Sequence, residues 1–398
     1  MTNYDALETR DAAARAAGQL GLLNRVIKKV AAAPGARRIA GAALADLADL
    51  AGLPVLRKSD LAAWQRETPP FGGIPASNIS HYFQSPGPIY EPGGRAPDFW
   101  RLGRFAHAGG VGQGDIVQNC FAYHLTPAGM MFESAAAAVG AAVIPAGTGQ
   151  TELQAQAAAH IGATAYAGTP DYLKVILEKA DALGLRLKIN KALVSGGALF
   201  ASLRQYYAAR GIACIQAYAT ADVGLIAYES PGHEGLIVDE GVIVEIVRPG
   251  TGDVVPDGEV GEVVVTSLNP DYPLIRFATG DLSAVMAGRS PCGRSNMRIK
   301  GWMGRADQTA KAKGMFIRPE QVAELAARFP ALGRMRVVIA REGEADVLSL
   351  LVETGGNLPE SLAQSAQDVL KLRPKLVAVA PESLENNGLV IEDRRKYD

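Results

Sequence analysis

The middle of the sequence repeats one unit, a short β-prone run that ends in small residues and leads into a helix-forming stretch. AAVIPAG precedes TELQAQAAAHIG, ATAYAGT precedes PDYLKVILEKADALG, KALVSGG precedes ALFASLRQYYAARG, and IACIQAYAT follows. In the second unit Thr169 suits a helix N-cap and Pro170 the first helical position. Leu173, Ile176, Leu177 and Ala180 share one apolar face, and Gly184 can end the helix. Strands that alternate with helices in this way form a parallel sheet covered by helices, with ligands expected at the carboxyl ends of the strands. The tips AGTGQ, AGTP, SGG and AYATADVG all fall on that side.

The flanks read differently. Residues 6 to 65 have apolar positions at helical spacing, including Leu20, Leu23, Val26 and Ile27, interrupted near APGARR. From 235 to 290 the period becomes two: GVIVEIVRPGTGDV and GEVVVTSL, separated by VPDG, predict antiparallel strands. Beyond 303, PEQVAELAARF and PESLAQSAQDVLKL read as helices, RMRVVIAREGEADVLSLLVET as a hairpin turning at EGEAD, and KLVAVAPE as a strand. The expectation is an α/β protein of two domains. Residues 1–303 form a large N-terminal α/β domain with a helical preface and an antiparallel β subregion, and residues 304–398 form a small α+β C-terminal domain.

Composition removes several function classes. The 398 residues carry 40 Lys and Arg against 41 Asp and Glu, so no broad basic surface exists to neutralise a nucleic-acid backbone. The polar, acidic start predicts a cytoplasmic protein, and SAAAAVGAAVIPAG is shorter than the ~20 residues a bilayer needs. Cys120, Cys214 and Cys292 are too scattered for a disulfide framework, and the histidines at 81, 107, 124, 160 and 233 lack paired zinc spacing. The absence of G-x-S-x-G argues against a Ser-His-Asp hydrolase. GGVGQGDI at 109–116 has the wrong spacing for a dinucleotide loop and reads as a surface turn.

Five stretches remain for chemistry. SGGALF (195–200) and AYATADVG (217–224) end successive strands, where small residues let a flat ring slide against backbone and Tyr218 can stack on it. Asp222 at that mouth is a candidate Mg²⁺ ligand, although a helix-capping aspartate beside a packed tyrosine has the same local sequence. In RFATGDLSAV, Asp281 follows a Thr-Gly turn, where a carboxylate can accept two hydrogen bonds from a ribose diol; a plain Gly-Asp turn is the alternative. RIKGWMGRADQTAKAKGMFIRPEQV, dense in Gly, Lys and Arg before a helix, suits an anion-contacting loop or a solvated linker. His124, beside Tyr123 in NCFAYHLTPAG, is the one histidine among pocket-like residues.

In combination and order, YDALETR, LPVLRKSDL, GTGQTELQAQ, GTPDYLK, AYATADVG, GEVGEVVVTSLN, PLIRFATGDL, GRADQTAKAKGMFIRPEQV and VIEDRRKYD resemble the phenylacetate-CoA ligase family of adenylate-forming enzymes. The resemblance implies ATP-dependent activation of an aromatic or other small apolar carboxylic acid as an acyl-adenylate, followed by transfer to coenzyme A. Gly196, Gly197, Ala198 and Tyr218 are expected to flank adenine, Asp222 to hold Mg²⁺, Asp281 to bind the ribose hydroxyls and Arg305 to reach ribose or phosphate. Asp307 falls at the family's hinge, so the small domain is expected to be mobile and to bring Lys313 and Gly314 towards the thiol channel. Phe121, Tyr123 and His124 would line the acyl pocket, and relatives often form dimers.

Three departures from the family pattern stand out. The pyrophosphate loop corresponds to YFQSPGPIYEPGG, where Pro86, Pro88 and Pro92 remove backbone donors and leave Ser85, Gly87 and Tyr90. The lysine near the family's C-terminus aligns with Leu389, for which Lys396 could substitute only if the tail is repositioned. The zinc ligands of some relatives align with Ser230, His233, Ser290 and Cys292, so a structural zinc is not expected. These departures motivate the rival reading of a catalytically weakened nucleotide- or adenylate-binding protein acting as a sensor or partner.

Overall fold

The computed structural model describes residues 3–32, 43–306, 310–312, 315–342, 345–385 and 388–395. The chain divides into two compact units. The first comprises Met1–Val244, Val265–Phe277 and Met286–Trp302; the second comprises Glu245–Val264, Ala278–Val285 and Met303–Asp398. The second unit therefore takes in two β-rich excursions from the middle of the sequence as well as the C-terminal segment.

In the first unit the repeated β-then-helix units form the parallel part of a mixed sheet. Its strands run in the order Ala142–Pro145, Ile116–Asn119, Ala165–Gly168, Lys191–Val194 and Ala213–Thr220. All four of these neighbouring pairs are parallel. Gly224–Glu229 and Leu236–Val238 then continue the sheet antiparallel. Ile116–Asn119 is a strand that alternation alone did not reveal, because the run is short and follows glycines. The 109–116 stretch thus leads into a strand rather than a helix, with the Asp115 carboxylate held by Lys191 at 2.7 Å and by the Gly112 amide at 2.9 Å.

Helices Thr151–Ile161, Pro170–Ala182 and Ala201–Ala209 supply the apolar cover. Ala158, Leu173, Ile176 and Tyr207 are buried with Tyr166, Val194 and Ile212 in one core. Deleting one of its leucine or isoleucine side chains should cost ~2–5 kcal/mol. Thr169 occupies the N-cap position before Pro170 but its side chain makes no capping bond, and Leu183 rather than Gly184 is the C-cap. The helical start is a capped helix, Ala12–Ala31, whose Asp11 side chain accepts from the Ala14 amide and whose Leu23, Val26, Ile27 and Val30 are buried.

In the second unit, Met335–Glu342 and Ala345–Glu353 form an antiparallel hairpin, with Ile391–Asp393 and Lys375–Val379 added parallel on its two sides. Helices Pro319–Arg328 and Ser361–Leu370 bury Val322, Leu325, Leu362, Ala366 and Leu370 against Val337, Ile339, Leu350 and Val352. Both helices, the hairpin and Lys375–Val379 fall where the apolar periodicity predicts them, whereas Ile391–Asp393 is a strand the sequence reading does not include. Among the described residues, no helix is long and apolar enough to cross a membrane.

Candidate active site

Sheet register in the first unit brings the small-residue tips side by side. Val194 pairs with Gln216, and one residue further on the Ser195 hydroxyl donates to the Ala217 carbonyl at 2.9 Å, so SGGA and AYAT end together. Gly196 has φ +72°, and a Cβ built there would stand 3.7 Å from the Phe121 ring, which places Phe121 at the same tip. Phe121 is buried and stacks on Phe132 with centroids 4.3 Å apart. The Tyr123 hydroxyl accepts from Asn119 Nδ2 at 2.8 Å, and burial, reinforced by Glu133, lifts it above its ordinary pKa. His124 is exposed. Its neighbour Leu125 accepts from the Gln84 amide, which ties this loop to the hairpin built from Ile79–Ser85 and Ile89–Gly94.

Asp222 is not a helix cap. It lies in the turn between the antiparallel strands Ala213–Thr220 and Gly224–Glu229, where the Thr220 hydroxyl accepts from the Val223 amide. Its side chain is fully buried, and Oδ2 meets Lys58 Nζ at 3.0 Å. Lys58 opens helix Lys58–Glu67, 164 residues earlier in the chain. Nothing in local spacing connects the two residues, so sequence reasoning missed Lys58; LPVLRKSDL had pointed to a family and not to a role.

Glu91 was also missed. Strand alternation in the hairpin turns Tyr90 outward and Glu91 inward. Gln65 clamps the Tyr90 backbone through both its amide oxygen and its amide nitrogen, at 2.8 Å each, which fixes the neighbouring Glu91 in place. Burial first, and Asp222 second, push the Glu91 carboxyl up to about 8, with Ser85 and Lys58 opposing. Ser85 lies close enough to oppose that rise, but among the described residues no donor meets either Glu91 oxygen at full hydrogen-bonding geometry. Ser85 is buried at the end of the first hairpin strand, and Gly87 sits in the turn between Pro86 and Pro88. Of residues 86–88, only Gly87 retains a backbone N–H.

In the second unit, Asp281 and Arg305 are brought together from 24 residues apart. Arg305 Nη1 meets Asp281 Oδ1 at 3.0 Å, and the two residues form an antiparallel β-bridge. Gly280 holds φ +75° under the guanidinium, and a Cβ there would stand 2.8 Å from Arg305 Nη2. Any larger residue would displace the arginine. The Asp281 amide donates to the Thr279 hydroxyl, so the Gly-Asp turn places a mostly buried carboxylate beside a half-exposed cation. Leu389 belongs to the same unit, where its carbonyl accepts from Arg336 Nε at 2.9 Å. Asp307, Lys313, Gly314 and Lys396 lie outside the described residues.

At the positions aligned with a zinc site, Ser290 Oγ and Cys292 Sγ are 3.0 Å apart and Arg294 Nη1 donates to the same sulfur at 3.5 Å. His233 lies 3.4 Å from Glu229, which is already held by Arg204 at 2.9 Å. Among the described residues, no three His, Cys, Asp or Glu side chains converge as a metal cage.

No family model matches the chain. Individual proteins do. Phenylacetate-coenzyme A ligase of Aromatoleum evansii is 29% identical over 360 residues, covering 82% of this chain and 79% of that protein. Phenylacetate-coenzyme A ligase of Escherichia coli K12 is 29% identical over 336 residues, covering 77% and 74%. Among solved structures, 2-hydroxyisobutyryl-CoA ligase in an open conformation with 2-HIB-AMP and CoA aligns with TM-score 0.72 and 25% identity, over 95% of this chain and 91% of that one. The same ligase in its postadenylation state with R3-HIB-AMP aligns with TM-score 0.72 and 26% identity, over 98% and 91%.

Proposed function

We propose that this chain, similar to phenylacetate-coenzyme A ligases along most of its length, is a member of that family of adenylate-forming enzymes and an ATP-dependent acid–thiol ligase for an aromatic or other small apolar carboxylic acid. In the first step a carboxylate oxygen attacks the α-phosphorus of ATP, forming the acyl–O–P bond as pyrophosphate leaves. In the second, the sulfur of coenzyme A attacks the acyl carbon, AMP leaves with the bonding electrons, and the thiol proton is lost. Such chemistry depends on positioning and charge neutralisation more than on covalent help.

The observation that carries the reading is the junction of strand tips in the first unit, where SGGA and AYAT meet beside a buried carboxylate held by a lysine. Gly196, Gly197, Ala198 and Tyr218 would flank adenine, and Phe121, Tyr123 and His124 would contact the acyl group. Asp281 would accept the ribose hydroxyls, with Arg305 supplying positive charge. Asp222 Oδ1 is buried without a partner among the described residues and so suits a hard cation; Mg²⁺ bound there would neutralise phosphate charge. Lys58, with its ammonium on Oδ2, holds Asp222 in place and adds a cation of its own.

A second reading, an adenylate-binding protein with weakened ligase activity, is favoured by the hairpin turn. Pro86 and Pro88 offer no amide to phosphate, and the same hairpin buries the carboxyl of Glu91. Acid-dependent ATP–pyrophosphate exchange over arylacetates, benzoates and short fatty acids separates the two. Exchange with at least one acid is expected, and none with any acid, despite measurable ATP binding, overturns the ligase reading.

A further inference from the structure

Within the first unit, buried polar atoms from three distant segments remain unsatisfied around Asp222. Both carboxylate oxygens of Glu91, Oδ1 of Asp222 and the hydroxyl of Tyr272 are buried, and among the described residues none has a partner at full hydrogen-bonding geometry, although Ser85 bears on Glu91 and Gln65 on Tyr272. The three residues are 1%, 6% and 3% exposed. Glu91 and Tyr272 both lie within electrostatic reach of Asp222. The Gln65 side chain, which bears on Tyr272, holds the Tyr90 backbone through both its oxygen and its nitrogen. Lys58 engages only Oδ2 of Asp222, so one ammonium faces two carboxylates.

A buried carboxylate without a donor is costly, and it is relieved either by taking up a proton or by a positive group that completes it. Oxygen-only donors, two of them carboxylates, are the set a hard divalent cation selects. Mg²⁺ sites use one or two protein carboxylates and fill the rest of the shell with water and substrate phosphates, and a second carboxylate adds charge that favours the ion before phosphate arrives. We propose that Glu91 is a second carboxylate ligand beside Asp222 Oδ1, with the Tyr272 hydroxyl next to them, so that this protein binds Mg²⁺ or Mn²⁺ before any nucleotide arrives. The proposal rests on the assignment of Asp222 to the cation in the ligase reading. It also gives the proline-bearing hairpin a role, since Glu91 delivers to phosphate a bound cation in place of the amides that Pro86 and Pro88 lack.

The test is Mn²⁺ titration of the full-length, nucleotide-free protein, with free Mn²⁺ read from its electron paramagnetic resonance signal. The wild type should bind about one equivalent, and Glu91→Gln and Asp222→Asn should each weaken binding roughly tenfold or more. Circular dichroism confirms that the variants fold; if Glu91→Gln does not, nucleotide-free binding by the wild type and its loss in Asp222→Asn decide the matter. Wild-type Mn²⁺ binding that requires ATP, or that is unchanged in Glu91→Gln, overturns the proposal. Neither outcome touches the ligase reading, which acid-dependent exchange in excess Mg²⁺ tests separately.

Discussion

Replacing Lys58 with methionine keeps most of the apolar stem and removes the ammonium from Asp222. The two charges stand 3.0 Å apart, with the Asp222 side chain fully buried and that of Lys58 40% exposed. At an effective dielectric near 20 the gross attraction is about 5 kcal/mol. Solvent on the lysine side removes roughly half of it, so Lys58→Met should destabilise by about 2–3 kcal/mol, below the 3–5 kcal/mol typical of breaking a fully buried pair. Most of that cost is the carboxylate left alone. The double variant Lys58→Met with Asp222→Asn should therefore recover about 1–2 kcal/mol relative to the sum of the single changes. Urea unfolding followed by tryptophan fluorescence measures this, because Trp64 lies on the same helix as Lys58. A Lys58→Met midpoint equal to wild type, or a strictly additive double variant, would refute the view that Lys58 compensates a buried charge.

Two further outcomes follow from the geometry. Asp281→Ala should weaken ATP or AMP binding about 10- to 100-fold by calorimetry, the equivalent of ~1.5–3 kcal/mol for charge-assisted hydrogen bonds, while leaving the unfolding midpoint nearly unchanged; unaltered nucleotide binding removes Asp281 from the site. For Cys292, burial alone would raise the thiol pKa, but Ser230, Ser290 and Arg294 outweigh it and bring it down to about 7. Its alkylation by iodoacetamide should accelerate as pH rises through 7 and level off above 8. Cys120 and Cys214, buried and pushed up to about 12, should stay unmodified, as peptide mapping will show.

What could be read from the sequence is what repeats locally. The units around 165–220 announce strands and helices through periodicity, and the tips that follow announce backbone exposed at strand ends. Ile116–Asn119 escaped because four residues after a glycine turn carry no period. The turn at 221–223 was ambiguous, because a capping aspartate and a hairpin aspartate share the same neighbours, and only the antiparallel return of Gly224–Glu229 decides between them. Lys58, Glu91 and Tyr272 were illegible for a different reason. Lys58 meets Asp222, and Glu91 and Tyr272 come within its electrostatic reach, only through tertiary structure, and a lysine opening an amphipathic helix or a glutamate in a hairpin looks like a solvated surface residue until the other side of the fold is in place.

The same logic sharpens the meaning of a chain with 40 basic and 41 acidic residues. In the first unit many arginines are already committed to buried carboxylates. Arg10 and Arg15 hold Glu240, Arg101 and Arg104 hold Asp239, Arg204 holds Glu229, and Arg294 holds Glu8. Breaking any of these leaves an uncompensated buried charge, so they act on the fold and cannot be lent to a ligand. A cation that serves an anionic substrate must instead be partly exposed and bound to a carboxylate that has oxygen to spare. Lys58 meets that description in the first unit and Arg305, 53% exposed beside Asp281, has the exposure in the second. A pair of this kind presents little net charge to the ligand. A phosphate-bearing substrate therefore needs either a second cation or a change of partner by the lysine, and the unsatisfied oxygens of Glu91 and Asp222 supply the place where the second cation can stand.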